Sequence, residues 1–252
     1  MTRIVVTNDD GIFAPGILAL SQAMKTLGEV TVVAPARNQS ASGHKKTLFQ
    51  DIEVSHTELA DGTPAIAVDG SPADCIAVAA LGVVENWPPD IVVSGINRGE
   101  NMGQDVTYSG TVTAALEASI HGVKALAVSL SNRDADNVED YQAAAKLAVN
   151  VVRRLLVKEL PPFTILSLNV PAGEHIKGLR YTRQGIRVYR DELHWSNEHA
   201  VQIVGPPPVG NTDEEGTDLW AVHRGYASLT PIHLDMTAYR LLADLAAWDI
   251  EL

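Results

Sequence analysis

The feature that most restricts the fold of this chain is a regular alternation of short β-branched runs with segments of helical periodicity, over about the first 170 of its 252 residues. The predicted strands are residues 3–7, 30–34, 91–94, 125–130 and 163–170, and the predicted helices are residues 16–27, 72–81, 111–120 and 140–158. Such alternation predicts a parallel sheet flanked by helices. We therefore expect the α/β class, with a doubly wound, mostly parallel sheet in a three-layer α/β/α arrangement.

The alternation stops after residue 170. The C-terminal third predicts a hairpin over residues 176–190 that turns at Gln184-Gly185, a polar loop over 205–218, a strand over 227–230 and a short amphipathic helix over 239–248. Within the first half, residues 48–55 and 65–68 predict a hairpin or a pair of edge strands around Asp61-Gly62. We expect one domain over residues 1–252, with a core of about 1–170 and a β-rich C-terminal extension of about 171–252.

The charge of the chain limits its partners. The sequence has 19 lysine and arginine residues against 31 aspartate and glutamate residues, a formal net charge of −12. Such a surface repels nucleic-acid backbones and anionic membranes, so neither is expected as a stable partner. It would also repel a phosphate substrate unless a metal ion and backbone amides reverse the field locally. The lone Cys75 excludes an internal disulfide framework, so the cytoplasm is the expected location.

Polar segments follow several predicted strands. Asn8-Asp9-Asp10-Gly11 follows the first strand, residues 36–40 follow the second, and Gly95-Ile96-Asn97 follows the strand at 91–94. In a doubly wound sheet the loops after the strands emerge at one edge, where ligands bind. We therefore expect segments far apart in the sequence to meet at one site.

Asp9 and Asp10 are the strongest metal-ligand candidates. Adjacent carboxylates repel each other unless a cation lies between them or one stays protonated. Ser40 and Asn97 would complete a shell of oxygen ligands, and these segments contain no histidine or cysteine, which favours Mg²⁺, Mn²⁺ or Ca²⁺ over zinc. The alternative is structural: one of the two aspartates caps the helix that follows.

Ser109-Gly110-Thr111 opens a predicted helix and is the candidate phosphate site. Backbone N–H groups, two hydroxyls and the positive end of the helix dipole would together cradle an anion. The alternative is an ordinary capped helix. Arg98 is either a phosphate partner or a solvated surface residue.

Histidines outside these segments are weaker candidates. His44 lies near Ser40 and is a candidate proton donor, although a loop histidine is more often solvated. His194, Trp195 and His199 lie in the C-terminal extension, where an interface role is the expected one.

Taken together, the motifs resemble those of the SurE (survival protein E) family of 5′-nucleotidases, in the same order and over nearly the whole chain. The matching segments are Asn8-Asp9-Asp10-Gly11, Ala14-Pro15-Gly16, Ala34-Pro35 with Asn38 and Ser40, residues 70–75, residues 89–97, residues 108–112, Asn169-Val170-Pro171, residues 182–185, and residues 228–231 with Thr237.

The resemblance implies a Rossmann-like core and a homodimer or homotetramer that exchanges C-terminal elements. It also implies a metal-dependent phosphatase of nucleoside monophosphates, with one divalent ion per subunit, Mg²⁺ or Mn²⁺, at a site that can also accept Ca²⁺. Nucleoside 3′-monophosphates and short polyphosphate are further candidate substrates. The metal ligands carried over are Asp9, Asp10, Ser40 and Asn97.

Two mechanisms and one rival function follow. In the first mechanism a metal-activated water attacks the phosphate. Asp9 and Asp10 are the catalytic residues, as carboxylates that hold the metal, and the phosphate oxygens are held by Asn101, Ser109, Gly110 and Thr111. In the second, Asp9 is the nucleophile. The rival is a metal-binding, receiver-like signalling module, although the aspartate and lysine that such modules require after central and late strands are missing here.

Overall fold

A computed structural model describes residues 1–173, 175–206, 208–245 and 247–248. Within these residues nine strands form one sheet, in the order β3-β4-β2-β1-β5-β6-β7-β13-β8. The strands are β1 (Arg3–Thr7), β2 (Glu29–Pro35), β3 (Val54–Glu58), β4 (Pro64–Val68), β5 (Ile91–Arg98), β6 (Ala125–Ser131), β7 (Thr164–Pro171), β8 (Leu179–Tyr181) and β13 (Ala227–His233). Most neighbouring pairs are parallel; the exceptions are β3 with β4 and β13 with β7. The prediction of a mostly parallel α/β sheet is confirmed.

Helices cover both faces of the sheet, as predicted. The helices are α1 (Pro15–Met24), α2 (Pro72–Val78), α3 (Gly110–Ile120), α4 (Gln142–Leu155), α5 (Asp218–His223) and α6 (Tyr239–Leu245). Side chains alternate between the two faces of a strand. On β1, Ile4 and Val6 pack in the core shared with α1 and α4, whereas Val5 packs in the core shared with α2 and α3. The sheet is therefore the middle layer of three.

Several predicted boundaries shift by a few residues. The first strand is found as predicted, whereas α1 ends at Met24 and the helix expected over 72–81 ends at Val78, followed by a π-helical turn over Ala79–Val83. In that turn Gly82 has φ +128°, a conformation that ends the regular helix. The helix predicted over 140–158 begins with a 3₁₀ turn, Val138–Tyr141, before α4. The predicted edge pair is the antiparallel pair of β3 and β4, but its first strand is Val54–Glu58 instead of the predicted residues 48–55.

The hairpin predicted over residues 176–190 is wrong. β8 pairs in parallel with β13, and β9 (Arg187–Val188) pairs with β12 (Val209–Gly210). The Gln184-Gly185 segment makes tertiary hydrogen bonds instead of closing a hairpin: Gln184 Nε2 donates to the Gly103 carbonyl at 3.0 Å, and Gly185 N–H donates to Asp218 at 2.8 Å. Long-range partners therefore override the local turn signal.

The rest of the extension contains elements that the sequence did not predict. The expected loop over 205–218 contains β12 and leads into α5. β10 (Glu192–Asn197) and β11 (Ala200–Val204) form an antiparallel hairpin, every residue of which is exposed. The predicted C-terminal helix is α6, and residues 246 and 249–252 lie outside the described part of the chain. Among the helices of the described ranges, none has the length and apolar character needed to cross a membrane.

Candidate metal and phosphate site

A cavity of about 500 Å³ opens at the carboxyl edge of the sheet, where the loops after β1, β2 and β5 meet the start of α3. It is lined by Asp9, Ser40, Ala41, Asn97, Arg98, Gly99, Glu100, Asn101, Asp105, Tyr108, Ser109, Arg133, Tyr189 and Pro208. Five of the eight predicted site residues are on this list. Asp10 lines a neighbouring cavity of about 350 Å³ that shares Arg98. The topology thus brings together segments that are far apart in the sequence, as expected.

Asp9 is buried at the end of β1 and is held from several directions. Asp9 is only 3% exposed, and the Thr111 hydroxyl donates a hydrogen bond to its Oδ1. Its carbonyl accepts a hydrogen bond of 2.7 Å from Gln39 N–H. Burial raises the pKa of Asp9 to about 6; the hydrogen bond from Thr111 opposes this rise and the charge of Asp10 adds to it.

Asp10 is also unfavourably placed as an anion. Burial raises its pKa, although the Arg98 backbone N–H, which donates to Oδ2 at 2.9 Å, and the Arg98 charge oppose the rise. Neither aspartate caps α1, because the N-cap of that helix is Ala14 without a side-chain cap. The structural alternative for the acid pair is therefore wrong. A bound cation would stabilise the ionised form of two adjacent, desolvated carboxylates such as these.

Asn97 and Ser40 offer uncharged oxygens at the same cavity. The Asn97 amide nitrogen donates to the Gly99 carbonyl at 2.8 Å. This leaves the Asn97 amide oxygen available as a ligand for a cation. Ser40 lies in an exposed loop after β2. Among the described residues no three of the His, Cys, Asp and Glu side chains are grouped as metal ligands. A cation at this edge would thus be held by the two carboxylates with amide and hydroxyl oxygens, a donor set that suits hard ions such as Mg²⁺ or Mn²⁺.

The start of α3 contacts Asp9 directly. Ser109 is the N-cap, and its Oγ accepts a hydrogen bond of 3.1 Å from Val112 N–H, so the capped-helix interpretation holds without excluding anion binding. A Cβ added to Gly110 would lie 2.7 Å from Asp9 Cβ and 2.9 Å from Pro72 Cγ. Only glycine allows the helix N-terminus to approach Asp9 this closely. The N–H group of Gly110, the first residue of the helix, has no partner within the helix, which suits it to bind an anion.

Asn101 is fixed in the wall of the cavity. Its backbone N–H donates to Asn169 Oδ1 at 2.8 Å, its side-chain nitrogen donates to Ser129 Oγ at 2.9 Å, and its carbonyl accepts from Asn169 Nδ2 at 3.0 Å. The residue is 8% exposed. These bonds hold its position from β6 and β7, so a phosphate contact by Asn101 would need little reorganisation.

The C-terminal extension adds Tyr189 and Pro208 to the cavity lining and binds two other lining residues, Glu100 and Asp105, through Arg187; no motif in the sequence indicates these contacts. Arg187 is buried, with its Nη2 2.8 Å from Glu100 Oε1 and its Nε 3.1 Å from Asp105 Oδ2. The Tyr189 hydroxyl donates to Asp105. Burial raises the pKa of Asp105; burial also acts to raise the pKa of Glu100, but the hydrogen bond and charge of Arg187, a backbone hydrogen bond and the charge of Arg133 together outweigh it and lower that pKa. Glu100 is therefore the firmly ionised partner of Arg187.

We expect Arg187→Met to destabilise the protein by about 3 kcal/mol, because Glu100 and Asp105, both largely buried, would then lose the cation that pairs with each of them. Urea unfolding followed by circular dichroism measures this loss. Arg183→Met is a matched control: Arg183 pairs with Glu214 at the surface, where a salt bridge contributes about 0–1 kcal/mol. Equal losses in the two variants would contradict a structural role for the buried cluster.

Other candidates lie away from the cavity. His44 pairs with Glu117 of α3, with 2.9 Å between Nε2 and Oε2, and does not line the cavity. His194, Trp195 and His199 lie in the exposed hairpin of β10 and β11. None of these three residues lines the cavity.

A doubly wound sheet with two desolvated aspartates at its carboxyl edge, one of them in contact with a helix N-terminus, defines a class of α/β protein with an acidic, anion-accepting site. The chain belongs to the family described as Survival protein SurE, which matches residues 4–191.

Relatives match nearly the full length of the chain. A 5′-nucleotidase SurE from Chloroflexus aggregans is 44% identical over 261 residues, covering 98% of this chain and 99% of the relative. A 5′-nucleotidase SurE 1 from Thermus thermophilus is 46% identical over 250 residues, covering 97% of this chain and 96% of the relative. The crystal structure of a SurE protein from Aquifex aeolicus superposes with a TM-score of 0.80 at 37% identity, covering 97% and 98% of the two chains. The α/β fold with additional C-terminal strands is thus that of the family, and the receiver-like alternative receives no support.

Proposed function

We propose that this protein is a metal-dependent phosphomonoesterase that hydrolyses nucleoside 5′-monophosphates to nucleoside and phosphate. The observation that carries the proposal is the direct contact of Asp9 with the start of α3. A carboxylate suited to hold a cation touches Gly110 and Thr111 of a helix N-terminus suited to hold a phosphate. Metal and phosphate would therefore be neighbours. The relatives named 5′-nucleotidase support the same activity.

Asp9, Asp10, Ser40 and Asn97 are the residues that would hold the ion. When bound, a divalent ion supplies charge for a phosphate oxygen and lowers the pKa of water. The other contacts come from the chain itself: Ser109, Asn101 and the Gly110 N–H would bind the remaining phosphate oxygens and stabilise the charge of the transition state. Thr111 contributes by a different route from the one expected, because its hydroxyl is engaged with Asp9 and orients that carboxylate.

The nucleophile is open to a direct test. Attack by water leaves the enzyme unmodified, whereas attack by Asp9 forms an acyl phosphate on the protein. We favour water as the nucleophile. The Asp9 carboxylate is oriented by Thr111 and lies beside the charge of Asp10, an arrangement that suits a metal ligand. Acid-quenched enzyme that retains labelled phosphate during turnover would instead identify Asp9 as the nucleophile.

A substrate panel tests the proposed activity. Phosphate release is measured from nucleoside 5′-monophosphates, nucleoside 3′-monophosphates and short polyphosphate, each with Mg²⁺, with Mn²⁺, with Ca²⁺ and with excess EDTA. We expect release from the 5′-monophosphates with Mg²⁺ or Mn²⁺ and none in EDTA. Full activity in EDTA, or no release from any nucleotide with any ion, would overturn the proposal.

We further propose that the C-terminal extension makes the contacts of a homodimer or homotetramer. The β10–β11 hairpin exposes Trp195 by 62% and Ile203 by 76%, and α6 exposes Leu241 by 49% and Leu242 by 54%. Large apolar side chains grouped on projecting elements are typical of interfaces. Mass measurement by light scattering is expected to give a dimer or tetramer, and Trp195→Asp with Ile203→Asp is expected to give a smaller species. An unchanged mass would exclude the hairpin as a contact.

The remaining expectations follow from charge and cysteine content. A net charge of −12 opposes a stable complex with nucleic acid, and the single buried Cys75 suits the reducing environment of the cytoplasm. The partner that we propose is therefore a small nucleotide, bound at the carboxyl edge of the sheet.

A further inference from the structure

Glu117 is a buried carboxylate on α3 that the proposed chemistry does not use. Its side chain is only 3% exposed, yet it has three basic partners: His44 Nε2 at 2.9 Å, Lys46 Nζ at 2.8 Å and His121 Nε2 at 3.3 Å. His121 is the C-cap of α3, four residues after Glu117. His44 and Lys46 belong to the loop after β2, the loop that carries Ser40. Glu117 therefore joins the phosphate-binding helix to the loop of a proposed metal ligand.

The same loop is tied down on both sides of Ser40. On the N-terminal side, Gln39 N–H donates to the Asp9 carbonyl at 2.7 Å. On the C-terminal side, Gly43 N–H donates to the Tyr108 carbonyl at 3.0 Å, and the Gly43 carbonyl accepts from Thr113 Oγ1 at 2.9 Å. Ser40 itself is exposed between these ties. Its position is therefore set by what holds the flanking residues.

Strain next to Ser40 shows that these ties are needed. Ala41 has φ +57°, a left-handed conformation that residues with a Cβ rarely adopt. Such a conformation persists where the surrounding contacts over-determine it. Without the contacts at His44 and Lys46, the loop would be expected to relax at Ala41 and to carry Ser40 away from the cavity.

The negative charge of Glu117 strengthens its hydrogen bonds with His44 and Lys46. Burial by itself raises the pKa of Glu117, but the hydrogen bonds from His44 and Lys46, together with their charges, outweigh it and lower the pKa to about 2. The carboxylate is therefore ionised at neutral pH, and both of its oxygens accept charge-assisted hydrogen bonds.

We propose that Glu117 is a positioning residue for the metal site: through His44 and Lys46 it holds the loop that presents Ser40 to the cation. The inference rests on the proposed role of Ser40 as a ligand. Groups that orient a metal ligand without touching the metal typically change metal affinity by about 10- to 100-fold when they are removed.

The test is direct binding of Mn²⁺, measured by electron paramagnetic resonance of the free ion, without substrate. We expect Glu117→Gln to raise the Kd for Mn²⁺ by about 10-fold. His121→Gln is the matched control, because it removes a partner of the same carboxylate that does not touch the loop; it is expected to leave the Kd within about twofold of the wild-type value. His44→Gln with Lys46→Met should reproduce the effect of Glu117→Gln, and this pair tests the inference if Glu117→Gln does not fold.

A double-variant cycle separates positioning from a general loss of structure. If Glu117 acts through Ser40, Ser40→Ala with Glu117→Gln should bind Mn²⁺ no more weakly than Ser40→Ala alone. Effects that multiply, or a Kd in Glu117→Gln within about twofold of wild type, would overturn the positioning role while leaving the metal site intact. Unchanged Mn²⁺ affinity in Ser40→Ala would instead remove Ser40 from the ligands proposed above, and this inference with it.

Discussion

Asp9→Asn is expected to lower kcat/KM for nucleoside 5′-monophosphates by about 1,000-fold or more, equivalent to about 4 kcal/mol of transition-state stabilisation. The asparagine keeps the size of the side chain and its contact with Thr111, but it loses the charge that would hold the cation. Steady-state kinetics at saturating Mn²⁺ measure the loss. The exposed Asp51→Asn, which removes the same charge elsewhere, should retain full activity.

The same variant should be at least as stable as the wild type when no metal is present. The pKa of Asp9 is raised to about 6 in the folded protein from 3.8, so the ionised group costs stability as the pH rises through this range, up to about 3 kcal/mol above pH 6. Asparagine removes that cost. In EDTA at pH 8 the Tm of Asp9→Asn is expected to equal or exceed that of the wild type, and Mn²⁺ should raise the Tm of the wild type alone. A large fall in Tm in EDTA would show that Asp9 has a structural role instead.

Gly110→Ala is expected to lower kcat/KM by about 100-fold through a single methyl group. The added Cβ would lie 2.7 Å from Asp9 Cβ, closer than two carbon atoms can approach, and 3.0 Å from Asp9 Oδ2. The carboxylate or the helix must therefore move. A displacement of about 1 Å at a catalytic group is enough for a loss of this size. Alanine is otherwise favoured in a helix by about 1 kcal/mol over glycine, which offsets part of the overpacking.

Gly62→Ala is the matched control for this change. Gly62 lies in an open turn at φ +78°, where an added Cβ meets nothing within 4 Å. It should cost about 1 kcal/mol of stability for the left-handed conformation and leave kcat/KM unchanged. If Gly110→Ala retained wild-type activity, the contact between Asp9 and the helix N-terminus could not be the basis of the site.

Much of the core could be predicted from the sequence because its signals are local. The β1 segment Ile4-Val5-Val6 is buried on both faces, and its apolar, β-branched composition predicts a strand even when the neighbouring strands are unknown. The cap at Ser71 with Pro72 marks the start of α2 in the sequence itself. In the extension the pairings are long-range: β8 joins β13, which lies almost 50 residues further along the chain. No local pattern encodes such a pair, so the Gln184-Gly185 turn signal was misleading there.

The site follows the same division. The topology of a doubly wound sheet predicts that Asp9, Ser40 and Asn97 meet at one edge, and all three line one cavity. What the sequence could not show is the side-chain geometry within it. The hydroxyl of Thr111 orients Asp9, and Arg187 joins the extension to the loop of Asn101 across more than 80 residues. Such contacts depend on tertiary packing, for which a single sequence has no signal.

We propose that one divalent cation is held at the carboxyl edge of the sheet by oxygen ligands from three loops. A crystal structure grown with Mn²⁺, with anomalous diffraction measured to locate the ion, tests it most directly. We predict a single strong peak per subunit, about 2.1 Å from oxygen atoms of Asp9, Asp10, Ser40 and Asn97. An anomalous map with no peak at this edge, or a peak whose ligands do not include Asp9 and Asp10, would contradict the account.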